Sequence, residues 1–121
     1  MQIEIKKGMV LLINLDPTMG SETGKSRPCI VVTNNIYNSK LPVIQVVPIT
    51  AWSEKKSKII SNVILEPTSE NGLSKDSIAD CLQTRPVDYK ERLISVLGKV
   101  TDDDLKKIDS AIKIVFGIST E

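Results

Sequence analysis

"LDPTMGSETGKSRPCIVV", residues 15–32, separates two strongly apolar runs by a polar, turn-rich insert, residues 16–27, that carries Glu22, Lys25 and Arg27. A tight hairpin closes with about two to five linking residues. A connection this much longer, inside a small domain, is either functional or disordered. The insert reads as a mobile functional loop that delivers Arg27 to the start of the strand that follows.

Outward from that loop, 121 residues suffice for one domain around one hydrophobic core. With 40% hydrophobic and 26% charged residues the chain lies in the ordinary globular range, and no tract is polar or repetitive enough to predict disorder. The formal net charge of +1 provides no whole-molecule attraction to nucleic acid or membrane, so any such binding rests on a local arrangement. Cys29 and Cys81 lie in apolar surroundings without CxxC spacing, which predicts buried free thiols in a reducing compartment. The apolar run after Lys6 and Lys7 is too short to span a membrane and lacks a cleavage site. A cytoplasmic protein is expected.

Short runs rich in Val and Ile recur between turn signals, at residues 9–15, 29–33, 43–49, 59–65, 77–83 and 93–100, and read as strands. Pro48 has no N–H to give to a ladder, so the third strand is expected to end, bulge or lie at an edge there. The period changes in "TDDDLKKIDSAIKIVFG", residues 101–117, where Leu105, Ile108, Ile112 and Val115 fall at helical spacing. Asp102, Asp103 and Asp104 suit the positive end of a helix dipole, Thr101 is the N-cap, and Gly117 is the C-terminal stop. The fold class is therefore mainly β with a C-terminal helix: a small, strongly bent antiparallel sheet or barrel. Many apolar strand residues with few aromatics to fill a core leave room for a homodimer interface.

The chain has no histidine, which removes the commonest general base and the commonest zinc ligand. Two separated cysteines cannot form a thiolate site, and the Asp run at 102–104 is accounted for by the helix start. "MGSETGKS", residues 19–26, lacks the first glycine of a phosphate loop and runs into Arg27, Pro28 and a strand instead of a helix. What remains is Arg27 at the start of one strand and Thr50 at the end of the next, which antiparallel pairing brings to one edge. A guanidinium and a hydroxyl together make a phosphate grip, and equally a structural salt bridge or turn hydrogen bond.

In order and spacing, "INLDPTMGSETGKSRPCIVVTNN", "VVPIT", "GLSKDSIADCLQTRPVD" and "RLISVLGKVTDDDLKKIDSAIKIVFGI" resemble the MazF/PemK toxins of bacterial toxin–antitoxin systems, across residues 8–118. The resemblance implies a small SH3-like barrel with a C-terminal helix. It implies a homodimeric, sequence-specific endoribonuclease that cuts single-stranded RNA without a metal or other cofactor and is held inactive by a cognate antitoxin. The family's catalytic arginine falls on Arg27, its catalytic Ser/Thr on Thr50 and its acidic loop residue on Glu22. The Gln and Arg of its later strand fall on Gln83 and Arg85, and Met19, Ser21 and Lys25 of the matched loop join the expected substrate-binding set. Pro86 stands where the family commonly has Thr, and residues 51–62 match poorly and are expected to carry base preference.

RNA is cleaved by its own 2′-hydroxyl when an enzyme removes that proton, stabilises the crowded phosphorane and protonates the leaving 5′-oxygen. Arginine stays protonated in proteins. Arg27 is thus first an electrostatic stabiliser and then a candidate acid, with Thr50 donating to a phosphate oxygen. Glu22 is either the base or a loop carboxylate paired with Lys25 or Arg27. Lys55, Lys56 and Lys58 form a positive cluster or simply a solvated loop. Trp52 is a stacking platform for a base, worth about 1–3 kcal/mol, or an interface residue. The alternative class is a non-nuclease toxin of the same fold that inhibits DNA gyrase by protein–protein contact; the presence of both Arg27 and Thr50 in their motifs favours the nuclease.

Overall fold

The computed structural model describes residues 3–119. Seven strands carry the fold: β1 (Met9–Asn14), β2 (Ser26–Val31), β3 (Val43–Ala51), β4 (Asn62–Leu65), β5 (Ser77–Asp80), β6 (Arg85–Asp88) and β7 (Leu93–Lys99). Three one-turn helices, α1 (Asn35–Asn38), α2 (Glu54–Ser57) and α3 (Tyr89–Arg92), interrupt them, and α4 (Asp102–Phe116) follows the last strand. Every pairing is antiparallel, in the order β4-β5-β3-β2-β1-β7 with β6 also beside β3.

Alternation along the central strands feeds two cores, because β1, β2 and β3 are apolar on both faces. Val10, Ile30, Val47 and Ile49 point to one side, where Ile108 and Ala111 of α4 cover them. Leu11, Ile13, Cys29, Val31, Ile44 and Val46 point to the other, closed by Ile5, Leu15 and Val87. Each fully buried Leu, Ile or Val contributes about 1.5–3 kcal/mol relative to exposure, so the sheet is held from both sides.

Strand β3 is the hinge of the architecture. One side of it pairs with β2; on the other, Val43–Val46 pair with β6 and Ile49–Ala51 with β5. Pro48 lies where one partner has ended and the next has not begun. Of the three outcomes expected at Pro48, an end, a bulge or an edge, the strand takes the last: it runs on to Ala51, and Pro48 sits on a locally unpaired edge where the neighbours change. The sheet bends around this exchange. The far end of the sheet returns to the loop before β5, where the Lys99 N–H donates to the Glu70 carbonyl at 2.9 Å. A Cβ on Gly98 would overlap that Glu70 carbonyl, and one on Gly72, at φ +69°, would overlap the Leu97 carbonyl. Glycine permits this close approach.

Other elements differ from the sequence reading, among them β2, which spans Ser26–Val31 where the apolar run covers 29–33. Residues 77–83 form a strand only as far as Asp80; Cys81–Gln83 make a 3₁₀ turn that tucks Cys81 beneath α4. Ile59 and Ile60 belong to a turn, closed by the Asn62 N–H on the Ile59 carbonyl at 3.0 Å, not to β4. Strand β6, which contains Pro86, is an additional element; it tolerates proline because it pairs only with β3. The helix matches its expected form: the Thr101 side chain accepts from the Asp104 N–H, and Gly117 ends α4 in the left-handed conformation at φ +67°. Among the described residues no helix is long and apolar enough to cross a membrane.

Candidate active site

The β2–β3 register pairs Ile30 with Val47 and Cys29 with Pro48. Carried two residues further, it sets Arg27 across from Thr50, and the two side chains line two depressions that share this wall, of about 350 and 530 Å³. The larger cleft is also lined by Ser21, Glu22 and Lys25 from the loop, Lys56 from α2, and Asp16, Asp80 and Gln83.

Arg27 is half-buried, and its Nε donates to the Gly24 carbonyl at 2.8 Å. That bond orients the guanidinium. Its two terminal nitrogens make no hydrogen bond or ion pair among the described residues, which leaves the planar fork for a ligand. Lys56 Nζ lies 3.4 Å from Thr50 Oγ1 and brings a second cation to the hydroxyl.

The loop is tied down, contrary to the mobile loop expected. Asp16 Oδ1 accepts from the Lys25 N–H at 2.9 Å, and the Leu15 N–H donates to the Lys25 carbonyl at 2.9 Å, so the two ends of the insert are fastened together. Lys25 adopts φ +67° to turn the chain into β2. Arg85 Nη1 donates to the Leu15 carbonyl at 3.0 Å. Arg92 Nη1 reaches the Asn14 and Asp16 carbonyls at 3.0 and 2.6 Å. Gln83 holds the loop's far side through the Ser21 carbonyl and the Thr23 N–H.

Glu22 is not paired with Lys25 or Arg27. Its Oε1 accepts from the Met19 N–H at 2.7 Å, and among the described residues the ion pairs are Glu4–Lys6, Lys7–Asp109 and Glu54–Lys58. The last of these sets Glu54 beside Lys58, both largely exposed, so the expected positive cluster has an acidic neighbour. Met19, Trp52 and Lys55 are exposed and lie outside the lining of the cleft, as does Arg85. Asp16, Asp80 and Arg92 were not singled out from sequence. Only Asp16 carried a local signal, since an Asp before a long loop suits a fastening role.

Behind the site, Cys29 and Cys81 are buried free thiols. Burial pushes the Cys29 thiol up to about 12, opposed by the charges of Arg85 and Arg27. Burial likewise raises Cys81 to about 12, reinforced by Asp80 and Asp109. Neither is a nucleophile near neutral pH. Among the described residues no group of three His, Cys, Asp or Glu side chains is placed to hold a metal ion.

Residues 6–116 match the family described as the PemK-like, MazF-like toxin of type II toxin-antitoxin systems. Over 116 residues the chain is 35% identical to the endoribonuclease MazF of Staphylococcus saprophyticus, covering 96% of this chain and 94% of that protein. The chain belongs to the PemK/MazF-like toxin family. The crystal structure of MazF from Deinococcus radiodurans superposes with a TM-score of 0.80 at 22% identity, over 96% of this chain and 99% of that one. A mycobacterial endoribonuclease in complex with its cognate antitoxin superposes with a TM-score of 0.75 at 22% identity, over 95% and 97% of the two chains. At that identity the likeness establishes the shared fold, a barrel-like antiparallel sheet with a C-terminal helix.

Proposed function

We propose that this toxin is an endoribonuclease that cleaves single-stranded RNA in the cleft between the loop, β2 and β3, using the RNA's own 2′-hydroxyl as nucleophile. The observation that carries the reading is the opposition of Arg27 and Thr50, with the terminal nitrogens of Arg27 uncommitted beside a hydroxyl. That pair fits a phosphodiester: a planar cationic fork for two phosphate oxygens and one further donor. The similarity to the staphylococcal endoribonuclease supports RNA as the substrate.

In the reaction the 2′-oxygen attacks phosphorus, the bond from phosphorus to the 5′-oxygen breaks, and the products end in a 2′,3′-cyclic phosphate and a 5′-hydroxyl. Arg27 faces the charge that builds on the phosphorane, the term that usually dominates such catalysis, and gives a proton to the departing 5′-oxygen, a proton that solvent restores to the guanidinium while Glu22 releases its own. Thr50 donates to a phosphate oxygen, with Lys56 adding positive potential. Glu22 takes the proton of the 2′-hydroxyl through the carboxylate oxygen not used on Met19. No step calls for a metal. Lys25, Lys55 and Lys56 attract the RNA backbone, while Trp52, 45% exposed just past Thr50, and the exposed Met19 and Ser21 meet its bases.

The working unit is a cytoplasmic homodimer, supported by exposed Ile94 and Val96 on β7, a strand that ends the strand order and pairs with β1 alone. A cognate antitoxin covers the cleft, a reading supported by the related toxin found with its antitoxin. The test is to incubate purified protein with a mixed RNA in the presence of chelator and map the cut ends. Discrete cuts with cyclic phosphate and 5′-hydroxyl termini are expected; uncut RNA contradicts the assignment.

A further inference from the structure

Gln83 is matched to a part of the loop that it has no need to touch if its task is to bind RNA. Its Nε2 donates to the Ser21 carbonyl and its Oε1 accepts from the Thr23 N–H, each at 3.2 Å. Those two backbone groups flank Glu22. A primary amide offers a donor and an acceptor in one plane, so it grips a carbonyl and an N–H two residues apart much as a neighbouring strand would.

The turn that Glu22 occupies is already closed on itself. The Glu22 N–H donates to the Met19 carbonyl at 3.1 Å, and the Met19 N–H donates back to the Glu22 carboxylate at 2.7 Å. Residues 19–22 therefore hold their own shape, and what remains is to place that unit against the sheet. Arg85 and Arg92 fasten only the entry to the insert, through the carbonyls of Asn14, Leu15 and Asp16. Asp16 fastens the two ends to each other. Among the described residues, Gln83 is the side chain from outside the loop that bonds its middle.

We infer that Gln83 is a positioning residue for RNA cleavage: it clips the loop at Ser21 and Thr23 and so holds Glu22 in the cleft that Arg27 and Thr50 line, with its amide committed to the loop and not to a base. The inference rests on the endoribonuclease reading above. It also revises the substrate-binding role that the resemblance gave to Gln83.

Gln83→Leu removes both bonds of the clip, while Gln83→Glu keeps the acceptor for the Thr23 N–H and loses the donor to the Ser21 carbonyl. Three quantities are measured on the full chain: affinity for an RNA made uncleavable by one 2′-deoxy nucleotide, single-turnover cleavage at saturating RNA, and amide hydrogen exchange at Thr23. In Gln83→Leu the saturated cleavage rate falls by about tenfold or more, as misplacement of a catalytic group demands. Affinity stays within about twofold, and Thr23 exchanges faster. Gln83→Glu lies between wild type and Gln83→Leu in rate and exchange. Weakened affinity with an unchanged saturated rate would overturn the inference and return Gln83 to direct RNA contact, and unchanged exchange at Thr23 would overturn it too. A wild-type protein that cuts no RNA sinks the nuclease reading instead, and the exchange measurement then still accepts or rejects the clip.

Discussion

Arg27 on β2 and Thr50 on β3 face each other just past the point where the ladder between their strands stops. Cys29 and Pro48 are the last registered pair, and the next residues toward the cleft on β2 begin with Pro28, which like Pro48 carries no N–H. Proline on both strands ends backbone bonding where a substrate phosphate has to enter, and the two side chains project at that opening.

Arg27→Ala and Thr50→Ala are each expected to lower RNA cleavage by about a hundredfold or more, the usual cost of losing a transition-state donor. Neither is expected to shift the unfolding midpoint. The double variant should lose little more than the worse single one, because groups acting on one phosphate are not additive. Single-turnover rates beside denaturant unfolding check this; near-normal cleavage by either folded variant removes it from the site.

Gly98→Ala should destabilise the fold by about 1–3 kcal/mol, because the added methyl meets the Glu70 backbone carbonyl and not a yielding side chain. Urea unfolding measures it. An unchanged midpoint would mean that the contact between β7 and the loop before β5 is not a fixed part of the barrel.

The thiols predict a pH dependence of stability. Both pKa values are raised from 9.0 to about 12, so the folded protein holds these protons more tightly than the unfolded chain. Their stabilisation is complete below pH 9 and is lost as pH rises from 9 towards 12, at up to about 1.4 kcal/mol per pH unit for each thiol. The Cys29→Ala/Cys81→Ala variant should show a flatter decline across that window in denaturant titrations. Equal slopes would contradict the burial argument.

Lys25, Arg27 and Lys56 face one cleft, and a cognate antitoxin is expected to present an acidic segment that orders on binding there. Antitoxin and uncleavable RNA should therefore compete. RNA binding should weaken with salt at a slope of about −0.7 per phosphate neutralised. A ternary complex with both affinities intact would show that inhibition does not work by occlusion.

Much of this was legible in the sequence wherever a local rule acts alone. Thr101, Asp102–Asp104 and Gly117 bound α4 because caps and dipole act within one turn. That Arg27 and Thr50 meet at one edge was legible because each lies near the end of a strand whose apolar pattern is plain. Strand β6 was not: four residues with Pro86 among them carry no strand signal, and pairing with the first half of β3 alone defines it. Nor was the order of the loop, whose anchors Gln83, Arg85 and Arg92 come from more than 55 residues downstream. The Glu22 pairing failed for the opposite reason, a local one: a turn backbone three residues away took its carboxylate in place of the cations.

In the proposed reaction the substrate's own 2′-hydroxyl attacks phosphorus in the Arg27–Thr50 cleft. Its most direct test is cleavage of an RNA carrying a single 2′-deoxy nucleotide immediately 5′ of the scissile phosphate, compared with the all-ribose strand. The substituted strand should bind nearly as well and should not be cut at that position. Cleavage at the normal rate would make water or a metal-bound hydroxide the nucleophile, and the roles given to Arg27, Thr50 and Glu22 would fall with it.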